Sequence, residues 1–153
     1  MHTSILELAH SRPFWCAVAS WFVTQLTKMM CGLQRTGRVD FQYLASTGGM
    51  PSAHSAMVSG LATAVGLTAG FGDPLFAVAL AFALVVMFDA ATVRRAAGHQ
   101  ARLLNEMVDE LFKQHRFSER KLGELLGHTR LEVFMGMIMG ILTAMLVCSL
   151  ASP

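Results

Sequence analysis

Four long apolar stretches, separated by polar segments, constrain this chain more than any other feature of its sequence. A helix that crosses the hydrocarbon core of a bilayer needs about 20 mostly apolar residues. Four stretches approach that length and composition: 14–33, 56–71, 75–93 and 133–151. The pattern predicts an all-α integral membrane protein with about four transmembrane helices, organised as a single domain over residues 1–153.

The composition favours a membrane protein over a soluble helical bundle. Hydrophobic residues make up 54% of the chain and charged residues only 14%, whereas soluble domains carry about 25% charged residues. Helices of a soluble bundle are apolar along one stripe rather than all round. The net charge of +2 gives no support to a nucleic-acid partner. Residues 1–12 lack a basic n-region, so we expect no cleaved signal peptide.

The polar segment 94–130 separates the third and fourth apolar stretches. Its apolar residues recur at helical spacing, which predicts an amphipathic interfacial helix that continues from the third span. When the spans are threaded in order, this segment and loop 34–55 share one face, which holds ten Lys and Arg against Arg12 alone on the other. The positive-inside rule then predicts a multi-pass protein of the cell (inner) membrane with both segments in the cytoplasm. Arginines that bind phosphate would raise the same count without reporting topology.

Residues 46–55, Ser-Thr-Gly-Gly-Met-Pro-Ser-Ala-His-Ser, suggest an anion site at the start of a helix. Gly48 and Gly49 let backbone N–H groups converge on an anion, and the helix that follows adds its positive N-terminal dipole. Ser52 supplies a hydroxyl donor, and His54 can donate or accept a proton. The alternative interpretation is a glycine turn with a helix cap, which needs no ligand.

A second group of candidate residues lies where the third span leaves the membrane. Arg94 and Arg95 can each bind phosphate through forked donors, and Asp89 can orient one of them. Arginines at the end of a membrane helix also extend to the interface without any ligand. Lys28 in the first span either extends in the same way or reaches a phosphate held by the two loops.

The third group is His128 with Glu132, at the start of the fourth span. Thr129 and Glu132 have the spacing of a capping box, which explains the glutamate without any chemistry. It does not explain His128. A carboxylate four residues away can fix the imidazole tautomer and leave the other ring nitrogen free to attack.

These groups, in this order, resemble the motifs of the type 2 phosphatidic acid phosphatase superfamily, which shares its site with the vanadium haloperoxidases. Residues 51–54 resemble its P-S-G-H motif with Ala53 in place of glycine, and residues 128–136 resemble its last motif with Glu132 in place of aspartate. The match is closer to the divergent bacterial and plastid branch, whose signatures resemble residues 46–55, 88–90, 93–98 and 126–133.

The resemblance implies a role for each candidate residue. His128 would be the nucleophile that forms a phosphohistidine, Glu132 would orient it, and His54 would protonate the leaving oxygen. The phosphoryl oxygens would be bound by Lys28, Gly48, Gly49, Ser52 and Arg94 or Arg95. The sequence departs from the pattern in two ways. The arginine-to-histidine spacing is much wider here. Gln42 stands where the branch often has arginine, so either Arg35 or Arg38 takes that role or no residue does.

Together these inferences predict a membrane phosphatase that needs neither a metal nor a cofactor. Its substrate would be an amphiphilic lipid phosphate or prenyl diphosphate whose tail stays among the membrane lipids. The rival interpretation is a catalytically silent phospholipid-binding or scaffold protein that keeps the phosphate pocket. A metal-dependent membrane hydrolase is a weaker alternative, because no H-E-x-x-H-type signature is present. A homo-oligomer is compatible with the sequence.

Overall fold

The structure is a computed structural model, and it describes residues 5–37, 49–111 and 128–151. Within these ranges the chain forms helices and no strands, which confirms the predicted all-α class. The helices are α1 (Ile5–Ala9), α2 (Arg12–Thr36), α3 (Ala53–Ala69), α4 (Pro74–Ala91), α5 (Val93–Leu111) and α6 (Arg130–Leu150). Of the candidate residues, Gly48 and Arg38 lie outside the described residues.

Local sequence signals set where the long helices begin. The N-cap residues of α2, α3, α4 and α6 are Ser11, Ser52, Asp73 and Thr129, and each side chain accepts a hydrogen bond from a backbone N–H of the first turn. α2 ends at Gly37, whose φ of 67° is the left-handed conformation that favours glycine at a helix end.

α3 is the central helix, and it packs against α2, α4 and α6. Glycines allow the closest approaches. A Cβ at Gly136 would collide with the Ser52 carbonyl, and a Cβ at Gly140 would collide with the Ala56 carbonyl. Small residues are typical of membrane helix interfaces because they let backbones approach closely. These two pairs also show that α3 and α6 run parallel, with both N-termini at one end of the bundle.

α2 runs antiparallel to α3 and α6. Near its start, Cys16 packs against Ala64 and Ala144, which lie in the second halves of α3 and α6. Near its other end, Lys28 lies within range of Coulombic attraction to Glu132, in the first turn of α6. The C-terminal end of α2 therefore lies beside the N-termini of α3 and α6.

α4 returns antiparallel to α3 after a short connection at residues 70–73. Its Ala83 packs against Val58 and Ala62 of α3. Most of the remaining α4 side chains are exposed, including Val85 and Phe88. α5 follows α4 directly and, among the helices that the structure describes, packs against α4 alone.

Among the residues that the structure describes, two helical segments are long and apolar enough to cross a membrane: Pro74–Val108, which joins α4 to α5, and Arg130–Leu150. The other two predicted spans correspond to α2 and α3. α3 has only 17 residues, and the apolar run of α2 is interrupted by polar residues on its buried side. A broad surface of large exposed apolar side chains is typical of a protein surrounded by lipid. The chain is therefore an α-helical membrane protein.

Candidate active site

His128 lies immediately before α6, and only 3% of it is exposed. Its Nδ1 atom lies 3.1 Å from Glu132 Oε2. Its Nε2 atom is buried and has no hydrogen-bond partner among the residues that the structure describes. A buried polar atom without a partner costs about 1–3 kcal/mol. A ligand that bonded to Nε2 would recover that free energy.

Glu132 fixes the orientation and the tautomer of this imidazole. The same oxygen, Oε2, also accepts a hydrogen bond of 2.9 Å from the backbone N–H of Thr129. The Glu132 backbone N–H in turn donates to Thr129 Oγ1, which completes a capping box at the start of α6. A carboxylate only accepts hydrogen bonds, so in the neutral imidazole Nδ1 of His128 carries the proton and Nε2 presents a lone pair. One carboxylate therefore both caps α6 and orients the histidine.

Ser52 connects the second motif to the third. Its backbone N–H donates to the Glu132 carbonyl at 3.0 Å, an approach that Gly136 permits because it has no side chain. Its Oγ accepts hydrogen bonds from the backbone and the hydroxyl of Ser55. The Ser52 hydroxyl keeps its own proton to donate. The two sequence motifs that carry His54 and His128 are thus held against each other.

Lys28 brings a positive charge to the same end of the bundle. It is buried, with 4% of its surface exposed, and the Glu132 carboxylate attracts it. Ionisable residues inside membrane proteins are costly and mark functional positions. The structure therefore places Lys28 inside the bundle near Glu132, and not at the lipid interface.

The N-termini of α3 and α6 add two further positive potentials. The two helices run parallel, and the Ser52–Glu132 hydrogen bond joins their first turns. Helix N-termini attract anions through their dipoles and their free backbone N–H groups. With Lys28 near Glu132 and His128 next to the N-cap of α6, this end of the bundle is suited to an anion such as phosphate.

His54 and Gly49 lie at this end as well. His54 is in the first turn of α3 and is partly exposed, next to the buried Ser52 and Ser55. Gly49 has a φ of 87°, which favours glycine, and no described atom lies within 4 Å of a Cβ placed there. The roles predicted for His54 and Gly49 remain predictions.

Asp89, Arg94 and Arg95 lie around the junction of α4 and α5. Asp89 lies in the last turn of α4, at the end of the bundle that holds the N-terminus of α3, and it lines an apolar groove on the α4 surface. Arg94 and Arg95 lie in the first turn of α5, and their side chains are outside the described residues. A phosphate-binding role for these three residues remains a prediction.

A buried polar stripe on α2 was not singled out from the sequence. Ser20, Thr24 and Lys28 follow each other at intervals of four residues and are all buried. Ser20 donates to the Cys16 carbonyl, and Thr24 donates to the Ser20 carbonyl. In the sequence these three residues appear as polar interruptions of an apolar stretch, spaced about one helical turn apart. Because all three residues lie on the buried side of α2, Lys28 lies in the interior of the bundle.

No metal centre is apparent in the described ranges, where no three His, Cys, Asp or Glu side chains are grouped to hold a metal ion. That the site works without a metal remains a prediction.

Comparison with known proteins supports the resemblance seen in the motifs. The chain matches the model of the divergent PAP2 family over residues 9–143. It is 37% identical over 153 residues to the uncharacterized membrane protein YuiD of Bacillus subtilis (strain 168), an alignment that covers 93% of this chain and 97% of the relative. No solved structure matches the chain. The predicted family is therefore confirmed.

Proposed function

Because the chain belongs to the divergent PAP2 family, we propose that it is a membrane phosphatase that hydrolyses lipid phosphates or prenyl diphosphates. The observation that carries the proposal is the buried imidazole of His128. Its Nδ1 is bonded to Glu132, and its Nε2 has no partner among the described residues. This is the state that a histidine nucleophile needs, with one nitrogen fixed and the other presenting a lone pair.

In the first step, Nε2 of His128 attacks the phosphorus atom of the substrate. The N–P bond forms as the bond between phosphorus and the leaving oxygen breaks, and His54 donates a proton to that oxygen. The lipid alcohol leaves, or the lipid monophosphate if the substrate is a diphosphate. In the second step water attacks the phosphorus of the phosphohistidine and the N–P bond breaks. Orthophosphate leaves with both protons of the water, Nε2 regains its lone pair, and His54 takes its proton back from the solvent.

The positive groups around His128 would stabilise the charge that develops on the phosphoryl oxygens. Lys28, the Ser52 hydroxyl and the N-termini of α3 and α6 are all at this end of the bundle. Phosphoryl transfer depends mainly on such positioning and electrostatic stabilisation. Gly49, Gly48 and either Arg94 or Arg95 would complete the phosphate site, and Asp89 would orient an arginine.

We place the site at the cytoplasmic face of the cell membrane, with the lipid tail of the substrate remaining in the bilayer. The excess of Lys and Arg in residues 34–55 and 94–130 supports this orientation. Single cysteines at Gln34 and at Gly72, in a variant without native cysteines, report on the two ends of the bundle. On intact cells, an impermeant maleimide should label position 72 and spare position 34. The opposite pattern would place the site outside.

The activity is tested by measuring phosphate release from a panel of lipid phosphates and prenyl diphosphates by the purified protein. The wild-type protein should release phosphate from at least one substrate, and His128→Ala should release none. His10→Ala removes an exposed histidine at the other end of the bundle, so it should keep the wild-type rate. Equal rates for the wild type and His128→Ala would refute the proposal.

One observation favours the silent phospholipid-binding alternative. Glu132 already completes the capping box of α6, and a histidine bonded to it could simply stabilise that helix start. A protein of this kind would bind a lipid phosphate in vesicles and release no phosphate from any member of the panel. His128→Ala would then lower the thermal stability of the protein, and neither the wild type nor the variant would release phosphate.

A further inference from the structure

Two cysteine side chains face each other at the end of the bundle opposite His128. The Sγ atoms of Cys16, on α2, and Cys148, on α6, lie 3.7 Å apart, although the two residues are 132 positions apart in the sequence. The sulfur atoms of a disulfide are about 2.0 Å apart, so a small movement of the two side chains would bring these atoms to bonding distance.

A pocket gives access to this pair. It is lined by both cysteines together with His10, Arg12, Trp15, Val147 and Ala151. Cys148 is partly exposed, whereas Cys16 is 0% exposed. An incoming reagent would therefore meet Cys148 first, and Cys16 would lie directly behind it.

We propose that Cys16 and Cys148 form a redox site that an organic disulfide or a thiol–disulfide oxidoreductase converts into a disulfide between α2 and α6. The Cys148 thiolate attacks one sulfur of the incoming disulfide, which forms a mixed disulfide and releases the first thiol. The Cys16 thiolate then attacks the Cys148 sulfur and displaces the second thiol. The two cysteines are oxidised by two electrons, and the incoming disulfide is reduced to two thiols that take up the two protons.

The disulfide would cross-link α2 and α6, the first and last long helices of the bundle. The same two helices carry Lys28 and the His128–Glu132 pair at their other ends. On the proposed topology the cysteine pair faces the outside of the cell, where disulfides persist. A cross-link between distant positions stabilises a fold mainly by restricting the unfolded chain. The oxidised protein should therefore unfold at a higher temperature than the reduced protein.

The test uses the full-length protein in detergent and dithiodipyridine, a membrane-permeant aromatic disulfide, as the oxidant. After treatment, the remaining thiols are counted under denaturing conditions with a maleimide carrying a polyethylene glycol chain. In a Cys31→Ala variant, two reactive thiols should fall to none, the protein should stay monomeric on a non-reducing gel, and its intact mass should fall by two hydrogens. Its unfolding temperature should rise, and a reductant should reverse every change.

A matched control moves one thiol by a single residue. Cys148→Ala combined with Ser149→Cys, again without Cys31, turns the second thiol about 100° around α6 and away from Cys16. This variant should form no intramolecular disulfide. The proposal is overturned if both thiols of the Cys31→Ala protein survive oxidation or end as mixed disulfides. Disulfides that form only between two chains, or a control that cross-links equally well, would overturn it too.

Discussion

α3 and α4 are consecutive apolar helices of nearly equal length, 17 and 18 residues, with opposite environments. Ten residues of α3 are buried, and they are glycine, alanine, serine and valine. Only Ala83 and Ala90 of α4 are buried, whereas its leucines and most of its phenylalanines and valines are exposed. In water the larger apolar side chains would be the ones inside. Their exposure here indicates that lipid surrounds α4, while close backbone packing requires small residues around α3.

The difference also explains where polar groups can lie. Lipid offers no hydrogen bonds, so polar atoms at membrane depth need partners inside the protein. The interface between α2, α3 and α6, which we call the seam, provides this interior. Ser52, Ser55, Lys28 and His128 are all buried in it, at one end. We therefore expect substitutions in the seam to have large effects, and substitutions on the α4 surface to have small ones.

The largest partial loss of activity is expected from substitution of His54, at the polar end of the seam. General acid catalysis is typically worth about 10²–10⁴-fold. His54→Ala should lose that much activity on a lipid phosphate, whose leaving alkoxide is basic. It should keep most of its activity on p-nitrophenyl phosphate, whose leaving group needs no proton. Steady-state rates on the two substrates decide the role, and an equal loss on both would show that His54 is not the acid.

Lys28→Met tests the buried cation of the seam. Removing one group that stabilises transition-state charge costs about 10²–10³-fold in comparable sites, so kcat/KM should fall by that factor. Arg12→Met removes the same charge at the other end of the bundle and serves as the control. The role assigned to Lys28 is wrong if the two variants show the same kcat/KM.

Gly136→Ala tests the close approach of α3 and α6. The added Cβ would collide with the Ser52 carbonyl, and overpacking of this kind typically costs about 1–3 kcal/mol. The unfolding temperature in detergent should fall. Gly72→Ala is the control, because no atom of the described residues lies within 4 Å of a Cβ placed at Gly72. If both variants unfold at the same temperature, the seam is not packed as described.

The smallest effects are expected on the lipid-facing side of α4. Val85 is 67% exposed and Ala83 is 1% exposed on the same helix. Val85→Ala should change the free energy of unfolding by less than about 0.5 kcal/mol. Ala83→Leu should destabilise the protein by about 1–3 kcal/mol because it overpacks the contact with α3. Chemical denaturation in mixed micelles measures both, and a larger loss for Val85→Ala would reverse the comparison.

Much of the fold was predictable because it depends on local sequence. Apolar length predicted the helices, and the T-x-x-E spacing predicted the capping box that begins α6. The predicted fourth span, 133–151, corresponds to α6 (Arg130–Leu150). Periodicity also predicted a helix in the polar segment after the third span, and α5 occupies its first half.

What could not be predicted depends on contacts between distant segments. The hydrogen bond from Ser52 to the Glu132 carbonyl joins residues from two helices, and no spacing in the sequence reports it. The burial of Lys28 depends on which side of α2 faces α3 and α6. For the same reason, sequence reasoning could not decide whether Glu132 serves the cap or the histidine, and the structure shows that one carboxylate serves both.

The central claim is that His128 carries the phosphoryl group during turnover. Rapid acid-free quenching of the enzyme mixed with a radiolabelled lipid phosphate, followed by peptide mapping, tests it directly. We predict an alkali-stable, acid-labile phosphate on His128, formed at the rate of lipid release and absent from the inactive His128→Ala protein. Turnover without a covalent phosphate, or with the label on a different residue, would contradict the account.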